Sequence, residues 1–200
     1  MKEYTITYVK NEIQWENIPI MDIKEPFGKS FNEITAKAQI AYSDEKLLIH
    51  LSTKEKNYRK VERDILGMPC EDSCLEFFFS PINGDKRYFN IEFNANACMF
   101  LGMGTSVDDL TRLTFVDEEL FNPEIKENAD GWEIFYSIPY SFITRFFKDF
   151  KAEKGGYIMA NSYKCSDKGE KPHYYAWNPI VKLPRSSFHN PDCFGKMIFG

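Results

Sequence analysis

The chain has 200 residues, 43% of them hydrophobic and 16% aromatic, with 18 Phe and 11 Tyr. That is a usual length for one all-β domain and enough apolar material for a sizeable core, which excludes the disordered class. A formal net charge of −5, with no basic cluster beyond Arg59, Lys60 and Arg63, sets aside nucleic acid, whose phosphates demand a positive footprint.

No apolar run approaches the ~20 residues that span a bilayer, so no membrane partner is expected. Residues Met1 to Thr5 run straight into an alternating segment, without the apolar stretch of a signal peptide. Five cysteines (Cys70, Cys74, Cys98, Cys165, Cys193) show no paired metal spacing, and an odd number fits reduced thiols. The expected location is the cytoplasm, or outside the cell if a leader was removed.

Tyr4 to Lys10 alternates and reads as the first strand. Ile34 to Tyr42 and Leu47 to Thr53 form a hairpin around Ser43-Asp44-Glu45, whose short polar side chains bond their own backbone. Cys74 to Ser80 is a dense apolar strand ended by Pro81 and the loop Asn83-Gly84-Asp85. Arg87 to Asn94 returns through Asn94-Ala95-Asn96 as Ala97 to Met103. Glu124 to Glu127 and Trp132 to Ile138 flank Asn128-Ala129-Asp130-Gly131, where Asp-Gly signals a hairpin because glycine takes positive φ freely. Pro139 to Phe147 predicts one short helix with proline in its first turn. Tyr157 to Cys165 and Lys196 to Phe199 complete the strands. Many short strands and one helix predict an all-β, antiparallel β-sandwich of jelly-roll or immunoglobulin-like type, with nothing to divide residues 1–200 into separate domains.

Alternation assigns faces. Leu75, Phe77 and Phe79 share one side of their strand, and Phe89, Ile91 and Phe93 one side of the next. Glu76, Asn90 and Glu92 then emerge together on the opposite side. Fixed carboxylates and amides of this kind suit a neutral sugar, which offers little but hydroxyls, although an outward strand face is more commonly just solvated. Trp177, in His173-Tyr174-Tyr175-Ala176-Trp177-Asn178-Pro179, reads either as a stacking platform or as a core residue under the closing loop. Burial is the commoner use of large aromatics. Tyr175 points the same way as Trp177 if the segment is extended.

Four passages, in order, resemble the family 9 carbohydrate-binding modules: Pro69 to Phe79, Tyr88 to Asn94, Gly131 to Pro139, and Tyr175 to Pro179 followed by Phe188 to Phe199. The most specific is the last, a Trp followed by the ending Pro191-Asp192-Cys193-Phe194-Gly195. The resemblance implies a noncatalytic domain that binds mono- or oligosaccharide ends through aromatic stacking and hydroxyl hydrogen bonds, with no cofactor required. In such modules two Trp rings sandwich a terminal sugar, and a Glu, an Arg and amides hold its hydroxyls. Carried over, Trp177 matches one stacking ring and Glu76 the carboxylate. The second Trp position falls on Cys70, and Asn90 stands about where the Arg is expected, with Glu92 two residues along. Asn161 is the amide expected from the Tyr157 strand, Tyr175 an accompanying ring, and Tyr58 a substitute ring. The resemblance also implies structural calcium, for which Asp108-Asp109 and Asp117-Glu118-Glu119 are acidic clusters without ligand spacing.

Two alternatives stand beside this reading. Glu76 and Glu92 are the carboxyl pair that a carbohydrate-active hydrolase would use. A haem-binding sandwich would draw axial ligands from Met99, Met103 and His173, although Met in a strand more often fills a core.

Overall fold

The structure is a computed structural model that describes residues 1–114, 118–181 and 187–200, with only the backbone at 118 and 119. Its strands are β1 (Glu3–Tyr8), β2 (Met21–Ile23), β3 (Glu25–Pro26), β4 (Thr35–Tyr42), β5 (Lys46–Lys54), β6 (Cys74–Ser80) and β7 (Tyr88–Asn94). They continue as β8 (Met99–Gly104), β9 (Thr111–Arg112), β10 (Glu124–Asn128), β11 (Gly131–Pro139), β12 (Tyr157–Ser166), β13 (His173–Ala176) and β14 (Gly195–Phe199). Helix α1 spans Tyr140–Phe146 with Pro139 as its N-cap, one position outside the expected first turn. None of the described helices is long and apolar enough to cross a membrane.

The strands run in the order β10-β11-β5-β4-β1-β14-β12-β6-β7-β8-β9, curled so that two layers face each other as a sandwich. All but two of these pairings are antiparallel, as expected. The exceptions belong to β1, whose first half pairs parallel with β14 and whose last two residues pair parallel with β4. β1 therefore forms the corner between the layers.

The core fills by the expected alternation. Leu75, Phe77, Phe79, Phe89, Ile91 and Phe93 point inward and meet Leu47, Ile49 and Leu51 of β5 and Ile134, Tyr136 and Ile138 of β11. Trp132 closes one end, donating its indole N–H to Ser73 Oγ at 2.8 Å. Ser73 bonds Glu55, which holds the fully buried Lys164 at 2.9 Å. Burial would raise the Glu55 carboxyl, but the Lys164 charge and the Ser73 hydroxyl bond prevail and hold it below its ordinary value.

The hairpin at Asn128–Gly131 forms as expected, but for a different reason. Asn128 Oδ1 accepts from the backbone N–H of Asp130 and Gly131, and glycine is required for close approach. A Cβ on Gly131 would stand 2.0 Å from the carbonyl oxygen of Thr53 across the pair. Gly131→Ala is therefore expected to cost about 1–3 kcal/mol, as overpacking does. A thermal melt should show it as a Tm lower by roughly 2–12 °C, and an unchanged melt would contradict the contact.

Candidate functional site

Strands β6 and β7 are buried on both faces, so the side expected to meet solvent is covered. Glu76 and Glu92 are direct cross-strand partners, as are Phe78 and Asn90. Glu76 is 2% exposed, Asn90 0% and Glu92 5%. The register extends this row outward: Tyr163 of β12 lies beside Glu76, and Phe100 of β8 beside Glu92. One strand further, Tyr174 of β13 lies opposite Cys165 of β12.

Over this row lies a cavity of about 380 Å³. Its floor is Glu76, Asn90 and Glu92; its walls include the rings of Tyr174, Phe27, Phe188 and Phe100, with Met68, Val107 and Leu110 at the sides. Cys70, Cys165, Asp167, Ser187 and His189 also line it. Phe78, Tyr88, Tyr163, Ala176 and Phe194 form a second apolar cluster beside it, with Phe188 stacked on Tyr163 at 4.2 Å.

Within the cavity the polar groups are only partly satisfied. Asn90 Nδ2 donates to Glu92 Oε1 at 2.9 Å, while Asn90 Oδ1 and Glu92 Oε2 have no partner. The Cys165 thiol donates to Glu76 Oε1 at 3.0 Å. Burial, and then the neighbouring Glu92, push the Glu76 carboxyl well above its ordinary value. Burial also lifts Glu92 to about 7, against the Asn90 bond and with Asp167 adding to the rise. Burial lowers His189 to about 4, leaving it neutral at pH 7; its Nδ1 lies 2.9 Å from the Tyr88 hydroxyl. Burial thus favours the protonated, donating form of Glu76, beside a Glu92 that is partly ionised near neutral pH and able to accept.

The other three expected site residues lie elsewhere. Trp177 is 5% exposed and belongs to the core, edge-on to Tyr4 at 6.4 Å. Tyr175 is 6% exposed, also in the core, with its hydroxyl donating to the Phe31 carbonyl at 3.0 Å. Asn161 braces the closing loop: its Nδ2 donates to the carbonyls of Asn178 and Cys193, and its Oδ1 accepts from the Asn178 N–H at 2.9 Å. Tyr58 donates to Glu127 and lines a different cavity. The rings that do line the cavity escaped the sequence reading. Alternation was the available signal for two of them, because Phe100 falls between the core residues Met99 and Leu101, and Tyr174 beside Tyr175.

The remaining donors are largely committed. Met99 and Met103 pack with the core, and His173 Nδ1 lies 2.6 Å from the Lys171 carbonyl. Asp109 accepts from Thr105 and Ser106 as part of a capping box. Asp117 and the side chains of Glu118 and Glu119 lie outside the described residues. Among the described residues, Cys74, Glu76 and Cys165 bring two sulfurs and a carboxyl oxygen within 4.8 Å, a donor set unlike the all-oxygen shell of calcium. A larger cavity of about 570 Å³ opens beside Glu55 and Tyr58, but most of its charges are paired, Lys171 with Glu33, Lys56 with Asp130 and Arg59 with Asp72. The smaller one is the candidate site, because there the buried atoms Asn90 Oδ1 and Glu92 Oε2 remain open.

Fold and cavity together define a β-sandwich with a cavity on the outer face of one sheet. The chain belongs to carbohydrate-binding family 9, whose sequence profile matches residues 7–199. Among solved structures, a Bacteroides uniformis ATCC 8492 protein of inferred carbohydrate binding is 25% identical, with a TM-score of 0.82 over 100% of this chain and 99% of its own. A family 9 module from Caldicellulosiruptor kristjanssonii in complex with glucose aligns with a TM-score of 0.73 at 14% identity, over 100% of this chain and 96% of its own. One from the same organism in complex with cellotriose gives 0.70 at 14%, over 99% and 93%. At that identity these two likenesses speak for the fold. No curated protein matches the chain.

Proposed function

We propose that the protein binds the end of a mono- or oligosaccharide, without cleaving it, in the cavity over Glu76, Asn90 and Glu92. The observation that carries this reading is a pair of buried acceptors, Asn90 Oδ1 and Glu92 Oε2, left open in a ring-lined cavity. Buried polar atoms are ordinarily satisfied, so open ones mark a place where a ligand supplies the donors. Sugar hydroxyls do so, while Tyr174 and Phe100 flank the floor as surfaces for the apolar face of the ring. The glucose and cellotriose bound by the family members from Caldicellulosiruptor support the ligand class.

Hydrolysis requires one carboxyl at the leaving oxygen and a second on the opposite side of the sugar. Glu76 and Glu92 stand side by side on one sheet face and approach a ligand from the same direction. The reading needs no cofactor, and the free thiols suit a reducing compartment.

Calorimetric titration with glucose, xylose, cellobiose and xylobiose, each beside its reduced alditol, tests the proposal. Saturable heat of modest affinity is expected, since a small polar ligand must shed water to bind. Asn90→Ala should weaken it at least about tenfold, by removing an acceptor and the partner of Glu92. Loss of heat with the alditols would identify the reducing end as the recognised part. No saturable heat, or heat indifferent to Asn90→Ala, would remove the cavity as the site.

A further inference from the structure

Resting on that reading, the structure assigns a narrower ligand class: we propose that the preferred sugar carries a free ammonium group, as a 2-amino-2-deoxyhexose does. Three carboxyls line the cavity, Glu76, Glu92 and Asp167, and among the described lining residues there is no lysine or arginine. The cations whose charge reaches the floor are committed elsewhere. Lys164 gives its ammonium to Glu55 at 2.9 Å and to the Cys165 carbonyl at 2.7 Å. Arg112 lies over the Phe100 ring at 4.7 Å and donates to the carbonyls of Ile65, Leu66, Gly67 and Met99. Among the described residues, these carboxyls therefore face the side open to ligand without a counter-ion there.

The unpartnered atoms match this charge. Asn90 is 0% and Glu92 5% exposed; Asn90 Oδ1 is an acceptor, and Glu92 Oε2 is one whenever the carboxyl is ionised. An ammonium has three N–H donors and no acceptor, so it completes both at once and adds the missing positive charge. Charge-assisted bonds of this kind are roughly twice as strong as neutral ones. The walls agree, because Tyr174 and Phe100 line them with aromatic rings, and a ring face attracts a cation electrostatically, as the Phe100 ring does Arg112. His189 adds no competing charge at neutral pH, being held near 4 by burial. A single hydroxyl in the same place has one O–H to donate, so it would satisfy one of the two acceptors and leave the carboxyl charge uncompensated.

The test is titration of the whole protein at pH 7 with glucosamine, glucose and N-acetylglucosamine. Glucosamine is expected to bind at least about tenfold more tightly than glucose, with the advantage lost on acetylation, which removes the charge. High salt should narrow the ratio, and Glu92→Gln should bring it within about twofold. Glucose binding as tightly as glucosamine, or N-acetylglucosamine matching the amine, would overturn the ammonium assignment and leave sugar binding in place. Silence from all three, together with the neutral panel above, would overturn both.

Discussion

Trp177→Ala is expected to lower the melting temperature by roughly 6–20 °C, from a loss of about 3–5 kcal/mol on deleting a buried indole. The ring is packed edge-on against Tyr4, and a Cβ on Gly195 would stand 2.3 Å from its Cζ3. Its backbone is fixed as well, the N–H donating to the Ser162 carbonyl at 2.9 Å and the carbonyl accepting from Lys2 Nζ at 2.7 Å. The neighbours cannot close the space without moving the junction of β1, β12 and β14. Sugar affinity, measured well below the melt, should survive in the folded fraction, because the ring does not line the cavity. Binding lost with an unchanged melt would instead restore to Trp177 the stacking role that family resemblance gives it.

The Trp followed by Pro-x-x-Phe-Gly reads in the structure as a folding signature. Gly195 is where β14 passes beneath the indole, and only a missing side chain lets the two approach. Asn161 and Asn178 then tie that loop to the Cys193 carbonyl. A pattern that specifies packing this closely identifies a fold well without pointing to its ligand. That is why it located the family correctly while drawing Trp177, Tyr175 and Asn161 into a site whose cavity they do not line.

Alternation, by contrast, was informative about the site itself. It placed Glu76, Asn90 and Glu92 on one face of two adjacent strands, and the pairing puts Glu76 beside Glu92. It did not reveal that this face is covered. The cover comes from Phe27, Met68, Tyr174 and Phe188, which reach the cavity from loops and strands far apart in the sequence. No local period encodes such meetings. The loop carrying Met68 is held by Arg112 bonds to the carbonyls of Ile65, Leu66 and Gly67 and by Asp72 accepting from the N–H of Val61 and Glu62. Each is a contact across more than nine residues. The parallel pairing of β1 was hidden for the same reason, since a strand's own sequence does not state its partner's direction.

Glu92→Gln is expected to stabilise the fold at pH 8 while weakening its ligand binding. Burial lifts this carboxyl from 4.5 to about 7, so the native state resists its ionisation. The stability associated with the raised value is complete below the unfolded value of 4.5 and is lost as pH rises through about 7. At pH 8 the wild-type protein therefore carries a penalty of roughly 3 kcal/mol that a neutral glutamine avoids. The same amide can still accept from Asn90 Nδ2, which now bonds Glu92 Oε1 at 2.9 Å. Melts of the two proteins should nearly coincide near pH 4 and separate by roughly 6–12 °C at pH 8, with the variant the more stable. Parallel curves across that range would mean that Glu92 titrates normally and that its burial leaves no electrostatic mark. The predicted divergence has a functional meaning. A carboxyl buried against its own solvation, with an open oxygen and, among the described residues, no cation on the cavity side, is a poor choice for stability alone. Under the proposed function its sense is as a preformed place for a ligand that brings donors, at a cost in stability at neutral pH.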